Sequence, residues 1–496
     1  MKPVNLLVVL ICLISLNVFS QNIELADDSF NKKDFDKARI EYIKAASMGN
    51  VRAYYRLADI YLHGLGREKD QITAILWLSL ASEYDYRESK KILAKLLSGF
   101  NQTQLTIIDT ARAAFIEKRG KEQVSNLYEP EILKDNLAHK ILFSESEGLD
   151  IDTSFTNESF DDDFNSTIDI ANEMLGAFVG LDTIDEDDGL SEQKDYNEYY
   201  YLVAEYDVAP DGSVRNIEPI QLLGNGEQRH GVFALASYDF TPPTFAKTKV
   251  YKSQRAYLGA ASFDNRRFRQ SHKTVYSQIK RQVAKFKNSD LAMDKYQYAK
   301  ALMNFPFLPR EEGQVEQLLM TAIKADIPMA KLELGLKLYR EQSDIKEGIY
   351  WITEAAKQGI TEAEYRLARL FVESPWVKPD EHKAQKWFKS AVEKQHTHAI
   401  RKYAELQLFA NDKSLLNPDQ AFEQLKVIET LQQENPQFYY LLARAASLST
   451  QETHAVAVKQ LKQAIHLAKF YNWPTNEWNN LLKNWTRGGK VSIQDI

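Results

Sequence analysis

A set of small residues recurs through this chain at a spacing of 36 residues, and this repeat constrains the fold more than any other feature of the sequence. The register starts at Ala38 and starts again at Ala74, and the same step separates Gly348 from Ala384. A shorter step of 33 residues leads back from Gly348 to Val315. In the first copy, offsets +7, +8, +15, +19, +20 and +23 hold small or apolar residues: Ala45, Ala46, Ala53, Leu57, Ala58 and Tyr61. Self-similarity at this period predicts stacked helical units.

The spacing within one copy predicts a pair of packed helices. Offsets 0 to +8 place the small residues on one face of a first helix, and offsets +15 to +23 do so on a second. Small side chains allow two backbones to approach closely, and Trp77, Trp351 and Trp387 at offset +3 fill the wider gaps. We therefore expect helical repeats over residues 21–125 and again over residues 298–485.

Short polar residues mark where the first helix of each pair should begin. Four aspartates lie four residues before a register start, namely Asp34, Asp70, Asp344 and Asp380. Their side-chain oxygens can accept hydrogen bonds from the free N–H groups of a first helical turn. Gly64 and Gly66 interrupt the chain between two units, where left-handed backbone is needed.

These residues resemble the Sel-one-like repeat, a relative of the tetratricopeptide repeat. The residues that carry the resemblance are Ala53, Leu57, Ala58, Tyr61, Gly64, Leu65, Gly66, Asp70, Ala74, Trp77 and Ala81. It covers about residues 24–98 and 298–410, and it implies a right-handed α-solenoid that presents a concave surface to other proteins. The register fades after Ala421, and we interpret Trp473, Trp478 and Trp485 as parts of a terminal cap, followed by a tail at 486–496.

Residues 1–20 have the layout of a secretory signal peptide. Lys2 is followed by an apolar run from Leu6 to Leu16, and Val18 and Ser20 are suited to a cleavage site. Eleven apolar residues fall short of the ~20 that span a bilayer, so we expect export to the periplasm with cleavage. The alternative is an uncleaved inner-membrane anchor facing the periplasm. The only cysteine, Cys12, lies in the run, so the mature chain has no disulfide, which fits a bacterial periplasm.

Charge is distributed unevenly along the middle of the chain. Residues 141–193 contain 16 Asp and Glu residues and no Lys or Arg, which predicts a partly disordered acidic linker over 126–195. A basic helical connector at 266–297 has two interpretations: it binds an anionic surface such as lipid head groups, or it is a solvated helix face turned toward the acidic linker. The net charge of -7 argues against a nucleic-acid partner.

Between residues 196 and 265 the pattern changes to that of a small α+β module. The pattern has a period of two, as in a strand with one buried face: Tyr200, Leu202, Ala204, Tyr206 and Val208 alternate with Tyr201, Val203, Glu205 and Asp207. The Pro210-Asp211-Gly212 turn leads to a second strand from Val214 to Ile220. A short helix at His230–Tyr238 and a strand at Val250–Leu258 complete the module.

The module resembles the C-terminal domain of the TonB family. The residues that carry the resemblance are Pro210, Asp211, Gly212, Val214, Ala234, Ala236, Phe240, Pro242 and Pro243. The resemblance implies capture of an extended peptide by strand addition. For this role we choose the last strand, with Val250, Tyr251, Lys252 and Arg255 as partner-binding residues. The family's long proline-rich spacer is absent before the module, which argues against energy transduction.

No catalytic, cofactor-binding or metal-binding residues are predicted. The sequence lacks H-E-x-x-H, G-x-x-x-x-G-K and G-x-S-x-G, and His396 and His398 are expected to point away from each other on a helix. We therefore expect a mainly α, non-enzymatic protein in which two solenoid arms flank the module.

The expected role is that of a periplasmic adaptor. Its partner would be a protein or an extended peptide of the cell envelope, with outer-membrane and peptidoglycan-associated proteins as candidates. A TonB-type energy-transducing component and an unrecognised hydrolase are the alternatives.

Overall fold

The computed structural model describes residues 23–143, 200–224 and 228–487. The predicted signal peptide, residues 144–199 with most of the predicted acidic linker, residues 225–227 and the last nine residues lie outside the described residues. None of the helices within the described ranges has the length and hydropathy needed to cross a membrane. The described chain is mainly helical and divides into two compact units.

The first unit runs up to Tyr128 and also includes two short segments, 357–361 and 389–395. Its helices are α1 (Ile23–Asn31), α2 (Phe35–Ser47), α3 (Val51–His63), α4 (Gln71–Glu83), α5 (Ser89–Leu97), α6 (Gln102–Arg119) and α7 (Lys121–Tyr128). Asp34 and Asp70 each accept a hydrogen bond from the backbone N–H three residues later, at 3.3 and 3.0 Å. Ala38 and Ala74 are fully buried, because α2, α3 and α4 pack through the predicted small-residue faces.

The second unit contains all the described strands and the remaining described helices, apart from those of their residues that fall in 357–361 and 389–395. Its helices are α8 (Gln228–Ala236), α9 (Asn265–Ser271), α10 (Lys273–Asn288), α11 (Ala292–Asn304), α12 (Gln314–Lys324), α13 (Pro328–Glu341), α14 (Ile345–Lys357), α15 (Thr361–Glu373), α16 (Glu381–Glu393), α17 (Thr397–Phe409), α18 (Pro418–Val427), α19 (Pro436–Leu448), α20 (His454–Phe470) and α21 (Asn476–Thr486). The predicted mainly α architecture with a small central sheet is confirmed.

Small residues bring the C-terminal repeat helices together. A Cβ atom added at Gly335 of α13 would lie 2.9 Å from the carbonyl oxygen of Gly348 in α14, so the two helices pack backbone to backbone. Ala355 and Ala356 of α14 are fully buried, as the register predicts. Trp473, which we assigned to a terminal cap, is buried and donates from Nε1 to the carbonyl oxygen of Ala236 at 3.1 Å.

The central sheet has three antiparallel strands in the order β2-β1-β5: β1 (Tyr201–Val208), β2 (Val214–Leu223) and β5 (Lys252–Gly259). Strands β3 (Thr244–Phe245) and β4 (Thr248–Lys249) form a separate small hairpin. Val208 pairs with Val214 across the turn, and Leu202 pairs with Leu258 on the other side. Strand β5 therefore lies at an edge of the described sheet.

The prediction that β1 has a single buried face is wrong, because all eight of its residues are buried. Leu202, Ala204, Tyr206 and Val208 form a core with Leu235 of α8. The opposite face is also covered: the Tyr201 ring lies 5.5 Å from that of Phe305, and its hydroxyl donates to the carbonyl oxygen of Asn304 at 2.6 Å. The polar residues of β1 consequently lie inside the second unit and need partners there.

Candidate functional site: a buried charge network and cleft

Two acidic residues of β1, Glu205 and Asp207, lie on the face that turns toward the repeat helices. Their side chains are 6% and 1% exposed. A buried carboxylate is costly unless cations and hydrogen bonds compensate for the lost water. The second helices of successive repeats supply these partners.

Glu205 is surrounded by three arginines. Its carboxylate lies 2.8 Å from Arg255 of β5, 2.6 Å from Arg340 of α13 and 3.4 Å from Arg366 of α15. Burial alone would raise the pKa of Glu205, but the positive charges of the three arginines outweigh burial and hold that pKa below its usual value. Glu205 is thus an anion that joins the sheet to two repeat helices.

Asp207 is held in the same way by α15 and by its neighbours in the sheet. Arg369 lies 2.8 Å from the carboxylate. Ser253 donates its hydroxyl at 2.6 Å, and Asn216 donates its amide at 2.7 Å. Burial raises the pKa of Asp207, but the charges of Arg369 and Arg366 and these hydrogen bonds lower it below its usual value overall.

The network continues along the repeat helices away from the sheet. Arg369 also pairs with Glu373 at 2.7 Å, and Glu373 pairs with Lys402 of α17 at the same distance. Lys402 contacts Glu405 at 2.9 Å. Burial lowers the pKa of Lys402, but the two carboxylates outweigh it and raise that pKa well above its usual value.

Helices α13, α15 and α17 present these charges because each is the second helix of its repeat. The resemblance to Sel-one-like repeats implies that such a surface is presented to other proteins. Over this part of the second unit, however, the helix face that carries Arg340, Arg366 and Arg369 contacts the chain's own sheet. The central sheet of the same chain therefore covers this part of the repeat surface.

A pair of histidines borders the network at the other side of α15. His396 caps the start of α17 and accepts from the N–H of Ala399, and its other ring nitrogen lies 2.8 Å from Glu362. The expectation that His396 and His398 point apart on a helix is wrong, because His396 precedes the helix and the two rings lie 6.0 Å apart. Burial lowers the pKa of His396, but the hydrogen bond and negative charge of Glu362 raise it overall.

A cleft lies between the start of β5 and the repeat helices. The space in it that can hold water-sized groups is about 50 Å³. Tyr251 and Lys252 line it on the sheet side, and Leu336, Tyr339 and Arg340 of α13 line it on the repeat side. Its mixed apolar and polar lining is typical of a ligand-binding pocket.

The four residues predicted to bind a partner have different places in the structure. Tyr251 and Lys252 line the cleft, and Lys252 donates to the carbonyl oxygen of Arg340 at 3.2 Å. Arg255 lies deeper and pairs with Glu205. Val250 is half-buried, and its N–H donates to the carbonyl oxygen of Pro243 at 3.0 Å.

The turn residues of the predicted module meet one another at the far end of the sheet. Asp211 accepts from the N–H of Ser213 at 3.1 Å and from its hydroxyl at 2.6 Å. Gly212 has a φ of 88°, and its carbonyl oxygen accepts from the N–H of Phe240 at 3.2 Å. Phe240 thereby packs at the hairpin end of the module. Pro242 and Pro243 follow it in the chain.

A segment before the acidic stretch also borders the cleft, and sequence reasoning missed it. Residues 129–143 were assigned to the acidic linker, yet Ile141 lines the cleft and exchanges two hydrogen bonds with the side chain of Gln342. Leu142 forms a strand-like bridge with Thr244 of β3, at 2.8 and 3.0 Å.

The same segment is held from a second side by Trp376. The indole of this fully buried residue donates to the carbonyl oxygen of His139 at 3.0 Å. Trp376 lies outside the repeat register. A large aromatic residue that the repeat does not require was the sequence signal that could have indicated this contact.

A metal centre is not formed by the residues that the structure describes, since no three of their His, Cys, Asp and Glu side chains are placed to hold an ion.

Comparison with known families agrees with the repeat geometry. A family model described as the Sel1 repeat matches residues 51–83, 328–360 and 361–396. These three segments are similar to the Sel1 repeat. The matched segments cover α3 with α4, α13 with α14, and α15 with most of α16. No match arises from comparison with curated proteins.

Three solved structures are similar to this chain. A Sel1 repeat protein from Oxalobacter formigenes shares 19% identity over 42% of this chain, with a TM-score of 0.30, and this chain spans 58% of its length. The protein c5321, a protective antigen of uropathogenic Escherichia coli with an SLR fold, shares 11% identity over 93% of this chain and 75% of its own length, with a TM-score of 0.32. Yeast Tom70 shares 14% identity over 93% of this chain and 82% of its own length, with a TM-score of 0.27.

Proposed function

We propose that the protein is a binding adaptor of the bacterial cell envelope that takes an extended polypeptide into the cleft between β5 and the Sel1-type repeats. Repeats of this type generally mediate protein–protein interactions. The observation that carries the proposal is the shared lining of the cleft, to which both Tyr251, directly before the edge strand β5, and Tyr339 of a repeat helix contribute.

The lining of the cleft fits a peptide better than a charged small molecule. Its apolar side chains include Leu336, Ile352 and Leu370, which can receive side chains of an extended chain. Arg340 and Arg369 are already paired with Glu205 and Asp207, so they stabilise the walls and leave recognition to the apolar groups and to backbone hydrogen bonds.

The pairing of Leu142 with β3 supports this mode of binding. Leu142 pairs with Thr244 through two backbone hydrogen bonds beside the cleft, so the region already accepts an extended chain by strand addition. A TonB-like module would use its sheet edge in the same way.

A peptide-display library panned on the mature protein tests the proposal. We expect enriched peptides to lose about tenfold or more in affinity for a Tyr251→Ala variant, because truncating a buried aromatic anchor commonly costs over 1.4 kcal/mol. Tyr350→Ala is the matched control, since Tyr350 is 52% exposed and does not line the cleft. An equal loss of affinity in both variants, or no loss in either, would show that the peptides bind at another surface.

Export belongs to the proposal and has its own test. N-terminal sequencing of protein from a periplasmic extract should begin at Gln21, as expected from the sequence around Val18 and Ser20. Recovery of intact Met1 from the inner-membrane fraction would contradict cleavage and favour the transducer alternative, in which the module passes on energy in place of holding a partner.

A further inference from the structure

Helices α9 and α10 carry a dense set of exposed cations, which we call the basic face. Residues 265–289 contain eight Lys and Arg residues and no Asp or Glu. All eight are exposed: Arg266, Arg267, Arg269, Lys273, Lys280, Arg281, Lys285 and Lys287. The other side of α10 is fixed in the core through Val275, Ile279 and Val283, so the basic face points away from the core of the second unit.

The basic face has no acidic partner among the residues that the structure describes. No carboxylate within the described ranges forms an ion pair with any of the eight side chains. Arg281 and Lys285 lie four residues apart on α10, where like charges destabilise a helix. A polyanion laid along this face would remove that repulsion.

The chain itself contains a polyanion of suitable charge. Residues 145–192 hold 16 Asp and Glu residues and no Lys or Arg. Opposite charge on two parts of one chain favours their association, and covalent linkage replaces a bimolecular encounter with a high effective concentration.

The acidic stretch rejoins the described chain next to the basic face. The carbonyl oxygen of Tyr200 accepts from the N–H of Ala260 at 2.9 Å, and Ala260 is five residues before Asn265, where α9 begins. The ring of Tyr201 lies 5.7 Å from that of Phe268 within α9. Tyr200, eight residues after Glu192, therefore lies near the start of the basic face.

The reach of the connecting chain is sufficient. The eight residues from Glu192 to Tyr200 can extend to about 27 Å, and the 16 residues of α10 are about 24 Å long. The fully extended connection is thus about as long as α10, and the acidic groups before Glu192 have a longer connection.

We propose that the acidic stretch, residues 145–192, docks on the basic face of α9 and α10 within the same molecule. The docked stretch neutralises the face and competes there with external polyanions. This proposal does not depend on the peptide cleft, because the two surfaces share no residues.

Zero-length carbodiimide coupling followed by mass spectrometry tests the docking on the mature protein. We expect intramolecular links from carboxylates in 145–192 to Lys280 and Lys285, with yields that are independent of protein concentration. The links should fall several-fold in about 1 M NaCl, where the Debye length is about 3 Å. Lys90 and Lys91, which are 63% and 79% exposed, are matched controls and should give few links.

Two variants separate docking from unspecific attraction. The replacement of Asp161, Asp162, Asp163, Asp185, Glu186, Asp187 and Asp188 by Asn or Gln leaves every described residue untouched, so its effect does not pass through the described fold. Because the neutralised stretch no longer competes for the basic face, this variant should bind heparin, a probe polyanion, at least tenfold more tightly than the wild type. Lys280→Glu together with Lys285→Glu should abolish that binding while circular dichroism stays unchanged.

The proposal fails if links to Lys90 and Lys91 match those to Lys280 and Lys285, or if the links form only between molecules. It also fails if wild type and the neutralised variant bind heparin equally. Equal, strong binding of both proteins to vesicles with anionic head groups would assign the basic face to a lipid surface.

Discussion

Arg369 of α15 reaches the buried carboxylate of Asp207 in β1 at 2.8 Å, and both side chains are less than a tenth exposed. Asp207 lies in the central sheet, whereas Arg369 lies in a segment matched by the Sel1 repeat. The contact shows that one repeat helix uses its charged face to hold a part of the same chain. Its contribution to stability can be measured directly.

Replacement of Arg369 by Ala should lower the free energy of unfolding by about 3–5 kcal/mol, because it leaves a buried carboxylate without its cation. Urea unfolding followed by circular dichroism measures the change. Lys378→Ala is the control: Lys378 pairs with Glu131, but the two side chains are 58% and 65% exposed, so the loss of stability should be far smaller. Similar losses in the two variants would contradict the importance of burial.

Acid should weaken the attachment of the sheet. The pKa values of Glu205 and Asp207 are lowered in the folded protein, so their stabilisation is complete above the unfolded values of about 4. It is lost as the pH falls from there through the folded values. The free energy of unfolding should therefore fall steeply below about pH 4. Asp207→Asn should flatten this acid limb, whereas Asp290→Asn, at a fully exposed residue, should leave its slope unchanged.

The hairpin turn should not tolerate a side chain at Gly212. Its φ is 88°, and an added Cβ would collide with the carbonyl oxygen of Phe240. Gly313 also has a positive φ, 72°, but an added Cβ there meets nothing within 4 Å. Gly313→Ala should cost about 1 kcal/mol from backbone strain alone, and Gly212→Ala should cost clearly more. Melting temperatures of the two variants make the comparison, and equal shifts would show that the turn relaxes.

A larger side chain at Ala355 should destabilise the repeats. Ala355 is fully buried in α14, and overpacking of such a contact costs about 1–3 kcal/mol. Ala114→Leu, at an exposed position of α6, should have little effect. Thermal melts of both variants test the register, and an unchanged midpoint for Ala355→Leu would argue against tight packing at this offset.

The repeats could be predicted because their signals are local and periodic. Small residues such as Ala355 and Gly348 recur at fixed offsets, and aspartates such as Asp70 stand at fixed distances before them. Each copy repeats the same steric requirement, so the register found in one copy can be compared with that in the others. The Asp70 side chain caps its helix at 3.0 Å from the N–H of Thr73, as such a periodic signal implies.

The charge network could not be predicted in this way. Alternation along β1 placed Glu205 and Asp207 on a solvated face, and on α15 Arg366 and Arg369 look like ordinary surface residues. Only the docking of sheet on helix removes all four from water. That docking depends on distant parts of the chain meeting in space, a relationship that no spacing within one segment records.

The enclosed position of β1 also bears on how such proteins can change over generations. A strand with both faces covered packs its side chains against two sets of neighbours. Substitutions in the strand or in either set of neighbours therefore require matching substitutions in the other. Loss of charge at Asp207 would be tolerated only with a matching change at Arg369, and likewise for Glu205 with Arg340. Homologues should therefore inherit these positions as pairs, and the sheet and the repeats that surround it should pass between lineages as one evolutionary unit.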